Sequence, residues 1–204
     1  MFFVGPNGSG KSRFAEQMKA LLPNCRILGT DRLSGMERVR GYGFLGDNFA
    51  QGFQKNWFDN FKTAGRAYGS GIDTIPLLEE RLDIRIKVEA TLSHLFGRII
   101  SLEWDSGNLI PRATLGTTGQ AYRLDTDECH GIKELLILLS HLYNDDYQYL
   151  IIDEPELNLH PQFQAFFMQE VRKVAGNPLT EPLSKCVILI THSPFILDFK
   201  DATD

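Results

Sequence analysis

The sequence predicts an α/β fold, a mostly parallel sheet flanked by helices with a small β and helical insertion, on three observations. Near-continuous apolar runs at Tyr147–Asp153 and Cys186–Thr191 read as strands buried on both faces, the habit of parallel sheets. Helical periodicity at Gly131–Tyr143 and Pro161–Val174 alternates with those strands. At the other end, the apolar run Met1–Val4 meets a Gly-Pro breaker and passes into a helical pattern over Lys11–Leu22.

Taken in order, Met1–Val4 is a short strand and Gly5–Gly10 a loop. In the first helix Phe14, Met18, Leu21 and Leu22 form an apolar stripe expected to enter the core, and Pro23-Asn24 ends it. From Leu33 to Ser70 glycines and aromatics recur without a clean period, and no element is assigned. Ile75–Phe96 carries Leu78, Leu82, Ile86, Leu92 and Leu95 among Glu79, Glu80, Arg81, Arg85 and Lys87, which predicts one long amphipathic helix with a solvated charged face. Two β-like segments follow, Arg98–Trp104 and Ala121–Leu124, with a turn signal at Asp105–Asn108. We therefore expect one domain over residues 1–204, with an insertion over about 33–125.

With 204 residues, 43% hydrophobic and 23% charged, the chain has the composition of a globular protein. Its apolar runs fall far short of the roughly 20 residues that a membrane-spanning helix needs. No secretory signal is read at the N-terminus, so a cytoplasmic address is expected. The net charge of −5 repels phosphate on average, so intrinsic DNA binding is not supported. Cys25, Cys129 and Cys186 lack metal-ligand spacing and read as small core or site residues.

Chemistry concentrates at three strand ends. Gly5-Pro6-Asn7-Gly8-Ser9-Gly10-Lys11-Ser12 fits G-x-x-x-x-G-K-[ST] between a strand and a helix, the setting of a phosphate-binding loop. Its glycines let backbone N–H groups converge on phosphate, Lys11 reaches the β/γ oxygens and the Ser12 hydroxyl ligates Mg²⁺. Arg13, next along the helix, is counted with the nucleotide-binding residues. At the end of the next strand Asp153 suits a Mg²⁺ partner, and Glu154 can orient or deprotonate an attacking water. His192, after Ile188–Thr191, is a candidate γ-phosphate sensor.

Together these pieces resemble the ABC-type P-loop ATPase domain, and more narrowly its soluble RecF, SMC and OLD-like branch, which includes ATPases of anti-phage abortive systems. Gly5–Ser12 looks like Walker A, Leu150–Glu154 like Walker B, and Glu154-Pro155-Glu156-Leu157-Asn158-Leu159-His160-Pro161 like that branch's E-P-E-x-x-L-H-P continuation. Thr191-His192-Ser193-Pro194 looks like the switch histidine loop. The signature loop aligns with Cys129-His130-Gly131, where cysteine stands in place of serine and Gly131 is kept. Gln51 and Gln54 are the nearest candidates for the Q-loop.

The resemblance implies ATP and Mg²⁺ as ligands, hydrolysis of ATP, and Gly131 facing the nucleotide of a second copy in an ATP-dependent homodimer. It also implies control of a protein effector such as a nuclease, and a chain clipped at both ends relative to the family. The alternative is an ATP-binding switch with negligible turnover. Leu159-His160-Pro161 disfavours a transporter subunit, and the chain holds no Asn-Lys-x-Asp motif for guanine.

Overall fold

The computed structural model describes residues 1–5, 8–33, 63, 69–105, 108–116, 119–124, 130–181, 184–194 and 196–197. Pro6, Asn7, Gln51, Gln54 and Cys129 lie outside these, as does nearly all of 33–70. Two compact units form, one from Met1–Thr30 with Asn144–Asp204, the other from Asp31–Tyr143.

In the first unit a four-stranded, all-parallel sheet runs in the order β1 (Phe2–Val4), β7 (Cys186–Thr191), β6 (Tyr149–Asp153), β2 (Cys25–Leu28). Val4 lies beside Thr191, and Ile190 beside Asp153. The carboxyl ends of β1, β7 and β6 therefore share one edge, where parallel sheets present their ligands. Helix α1 (Lys11–Leu21) covers the sheet, and α5 (Pro161–Val174) joins β6 to β7 over the boundaries expected. The core gathers Ala15, Ile27, Ile151, Ile188 and Ile190, with Cys25 and Cys186 half-buried against it, as small core residues should be.

Two expectations for this unit need correction. The buried stripe of α1 is Ala15, Met18 and Leu22; Phe14 is 43% exposed and Leu21 82%. Phe14 instead packs edge-on against Phe3 of β1, with ring centroids 4.9 Å apart, and so braces strand against helix. Strand β2 was not anticipated. Arg26 breaks its apolar run, yet the side chain is fully buried and donates through Nη1 to the Ile27 carbonyl.

The second unit holds α2 (Thr74–Glu80), α3 (Leu82–Phe96), an antiparallel sheet of β3 (Ile99–Asp105), β4 (Asn108–Thr114) and β5 (Ala121–Arg123), and α4 (His130–Tyr143). The single helix expected over 75–96 is two, because Arg81 leaves helical geometry (φ −106°, ψ 83°). Its guanidinium donates to both oxygens of Asp83 in the first turn of α3, at 3.0 and 2.8 Å, and holds that exposed carboxyl down at about 2.

Nor is the charged face merely solvated. Glu89 accepts the Leu102 N–H at 2.6 Å, and Arg85 donates to the Leu102 carbonyl, which docks α3 on β3. The sheet also has a third strand, β4, hidden by Pro111. Because β5 pairs only with Arg112–Thr114, Pro111 has a strand neighbour on one side alone among the described residues, the edge setting that tolerates proline.

Candidate nucleotide site

The described strand-end residues, Gly5, Gly8–Ser12, Asp153, Glu154 and His192, lie at the shared edge of the first unit, while Pro6 and Asn7 lie outside the described residues. The loop leaving β1 turns through Gly8 (φ 80°) and Gly10 (φ 84°), left-handed positions that favour glycine. Gly10 caps α1 without any side-chain hydrogen bond, and the positive end of the helix dipole, at Lys11, Ser12 and Arg13, is turned toward the loop. Gly8, Gly10, Lys11, Ser12, Arg13 and Glu154 line an open cleft of about 330 Å³. Gly5 closes the base of the loop: a Cβ there would meet Ser9 Oγ at 3.0 Å, and its carbonyl accepts from Lys11 Nζ at 2.7 Å. Ser9 is otherwise exposed.

Ser12 Oγ donates to Asp153 Oδ2 at 2.5 Å, linking loop to β6. A hydroxyl and a carboxylate converging beside a phosphate loop fit Mg²⁺, which takes one or two protein oxygens and completes its shell with water and phosphate. Among the described residues no cluster of three or more His, Cys, Asp or Glu offers a fuller cage.

Directly after Asp153 the chain turns through Glu154 in the left-handed region (φ 49°), a conformation that costs a non-glycine residue about 1–3 kcal/mol. The Glu154 N–H donates to the Ile190 carbonyl at 2.8 Å, which extends the β6–β7 pairing by one residue while the side chain lines the cleft. Beyond it, the E-P-E-x-x-L-H-P string has a structural reading. Leu159 is buried, His160 caps α5 by accepting the Gln162 N–H at 3.4 Å, and Pro161 takes the first helical position, where its missing N–H costs nothing.

His192 follows β7 and stands half-exposed, its Nδ1 3.7 Å from Glu154 Oε1 and 3.4 Å from Glu156 Oε1. Sequence reasoning gave Glu156 no role. Its Oε1 accepts from Thr191 Oγ1 (2.7 Å) and from the N–H groups of His192 (3.0 Å) and Ser193 (3.1 Å). The available signal was an acid in the turn after one strand and hydroxyls on both sides of a histidine after the next. Gly131, by contrast, lies in the second unit, buried in the first turn of α4.

Residues 126–198 match the family described as "AAA domain, putative AbiEii toxin, Type IV TA system". That stretch carries Gly131, Asp153, Glu154 and His192 but not the loop at 5–12. Two solved structures are similar: the SMC head bound to the C-winged helix domain of ScpA (15% identity, TM-score 0.40, covering 61% of this chain and 41% of that one), and the SMC head domain with an extended coiled coil bound to the C-terminal domain of ScpA derived from Pyrococcus furiosus (12% identity, TM-score 0.36, 96% and 56%). The chain thus spans about half the length of these structures or less. No curated protein matches it. The family match covers residues 126–198 alone, and it is that stretch, with β6 and β7 of the parallel sheet, that is similar to an AAA domain.

Proposed function

We propose that this chain binds ATP with Mg²⁺ and hydrolyses it, working in the cytoplasm as a nucleotide-gated homodimer that controls a protein effector such as a nuclease. The observation that carries the reading is the meeting of Lys11, Ser12, Asp153, Glu154 and His192 at the carboxyl edge of β1, β6 and β7.

In this reading the loop N–H groups of Gly8–Arg13 and the Lys11 ammonium hold the triphosphate, and Lys11 exchanges the Gly5 carbonyl for β/γ oxygens. Ser12 and Asp153 would hold Mg²⁺, whose contribution when bound is to neutralise charge developing on the phosphates. Glu154 orients the attacking water and takes its proton, while His192, beside it, faces the γ-phosphate. The dimer, the contact of Gly131 with the partner's nucleotide, and the effector are inferred from the family resemblance. DNA binding is not part of the reading, given the net charge of −5. Among the described residues no helix is long and apolar enough to cross a membrane.

Single-turnover hydrolysis and light scattering test it together. Wild type should release phosphate from Mg-ATP, and Glu154→Gln should run as a dimer with Mg-ATP and a monomer without. Binding without turnover in wild type would leave an ATP-binding switch; dimerisation unchanged in Gly131→Asp would remove the signature role of Gly131.

A further inference from the structure

The geometry points to Glu156 as a positioning residue that sets His192 against Glu154, an inference that rests on the hydrolytic reading above and names how its sensor is held. One oxygen of Glu156 gathers the Thr191 hydroxyl and the successive N–H groups of His192 and Ser193. Adjacent N–H groups converging on a single oxygen form a small anion nest, and they fix the backbone at the point where the histidine leaves the strand. The same oxygen lies 3.4 Å from His192 Nδ1, so the imidazole is bracketed by Glu156 and Glu154.

The second oxygen, Oε2, is buried and makes no hydrogen bond among the described residues. An orphaned, buried carboxylate oxygen is costly, and a residue serving packing alone would be better replaced by an apolar side chain. Docking of the loop onto α5 does not require Glu156. Ser193 Oγ donates to Gln164 Oε1 at 2.6 Å, and Gln164 Nε2 donates to the Leu159 carbonyl at 2.8 Å, tying loop to helix independently. What Glu156 adds is the local course of residues 191–193, and with it the direction of the His192 side chain.

The test uses the full chain with Glu156→Ala, His192→Ala and the double variant, and Glu156→Gln as the shape-conserving control. Glu156→Ala should lower kcat about tenfold or more while KM for Mg-ATP stays within about threefold, and Glu156→Gln, which keeps the accepting oxygen, should recover part of the loss. In the His192→Ala background Glu156→Ala should cost nothing further, because its effect passes through that ring. Equal fold-losses in both backgrounds, or wild-type kcat in Glu156→Ala, would overturn the assignment.

A second readout needs no turnover. Amide hydrogen exchange at His192 and Ser193 should accelerate about tenfold or more in nucleotide-free Glu156→Ala, or in Glu156→Met where the alanine variant does not fold. Unchanged exchange overturns the clamp whatever the kinetics show. A wild type that hydrolyses nothing refutes the hydrolytic reading, and the exchange rates still decide whether Glu156 holds the loop.

Discussion

The two compact units use polar side chains in opposite ways. In the first, Ser12, Glu154 and His192 converge on one sheet edge and remain partly or wholly exposed. In the second, Arg32 Nε donates to Glu134 Oε2 at 2.5 Å with both side chains fully buried, and the buried His141 lies 3.4 Å from Thr74 Oγ1 and 3.5 Å from Asp73 Oδ1. Residue types alone would nominate either group for acid–base work. Exposure separates them: the first set can reach a ligand, whereas the second is closed on itself and cross-braces α2 and α4.

The sharpest break of that comparison is Glu134→Ala, which takes the carboxylate partner from the buried Arg32 charge. Removing one partner of a buried pair costs about 3–5 kcal/mol, a large share of an ordinary domain's stability. The denaturant midpoint should fall accordingly, while Arg32→Met combined with Glu134→Leu should recover much of the loss, since both charges leave together. A Glu134→Ala shift below about 1 kcal/mol would mean the pair is no brace.

Variants in the first unit should show the converse, function lost with folding kept. Glu154→Gln should leave nucleotide binding intact and cut turnover by about 10²–10³, because the amide keeps the shape and loses the proton-accepting group. Hydrolysis at the wild-type rate would put the base elsewhere. Lys11→Ala comes next. At a concentration of about 100 times Kd, Mg-ATP should stabilise wild type by about 2.7 kcal/mol and leave the mutant's melting temperature unmoved. Equal stabilisation of both proteins would refute the phosphate-loop assignment.

How much of this was legible in the sequence follows the same divide. The strand-end placement of Gly5, Gly8–Ser12, Asp153, Glu154 and His192 and the bounds of α5 and β7 could be read directly, because strand ends and helix starts carry local signals. Four features could not. Arg26 disguises β2 as a polar stretch, and only the tertiary structure shows its guanidinium folded back onto the neighbouring Ile27 carbonyl. Pro111 argues against a strand unless the partner's reach is known, and β5 stops one residue short of it. The break at Arg81 depends on a fork to Asp83 that helical periodicity does not register. Glu156 is joined to Thr191, His192 and Ser193 across roughly 35 residues, and pairings of that range leave no periodic trace.

The smallest predicted effect lies in the second unit and probes its habit of burying charge. Glu79, half-buried in α2 with Glu80 beside it, has its carboxyl pushed up from 4.5 to about 7, first by burial and then by the neighbouring acid. The folded state therefore keeps this proton over a range in which the unfolded chain has already lost it. Proton binding is then greater in the native state, and stability must fall as pH rises from about 4.5 to about 7. The side chain is half in water, so screening reduces the contribution to about 1 kcal/mol. Glu79→Gln removes the titration. Urea unfolding at pH 5 and pH 8 should show the substitution stabilising the protein by that amount at pH 8 and close to neutral at pH 5. A substitution that destabilises at pH 8, or shifts both pH values equally, would mean that Glu79 is held by a partner rather than penalised by burial.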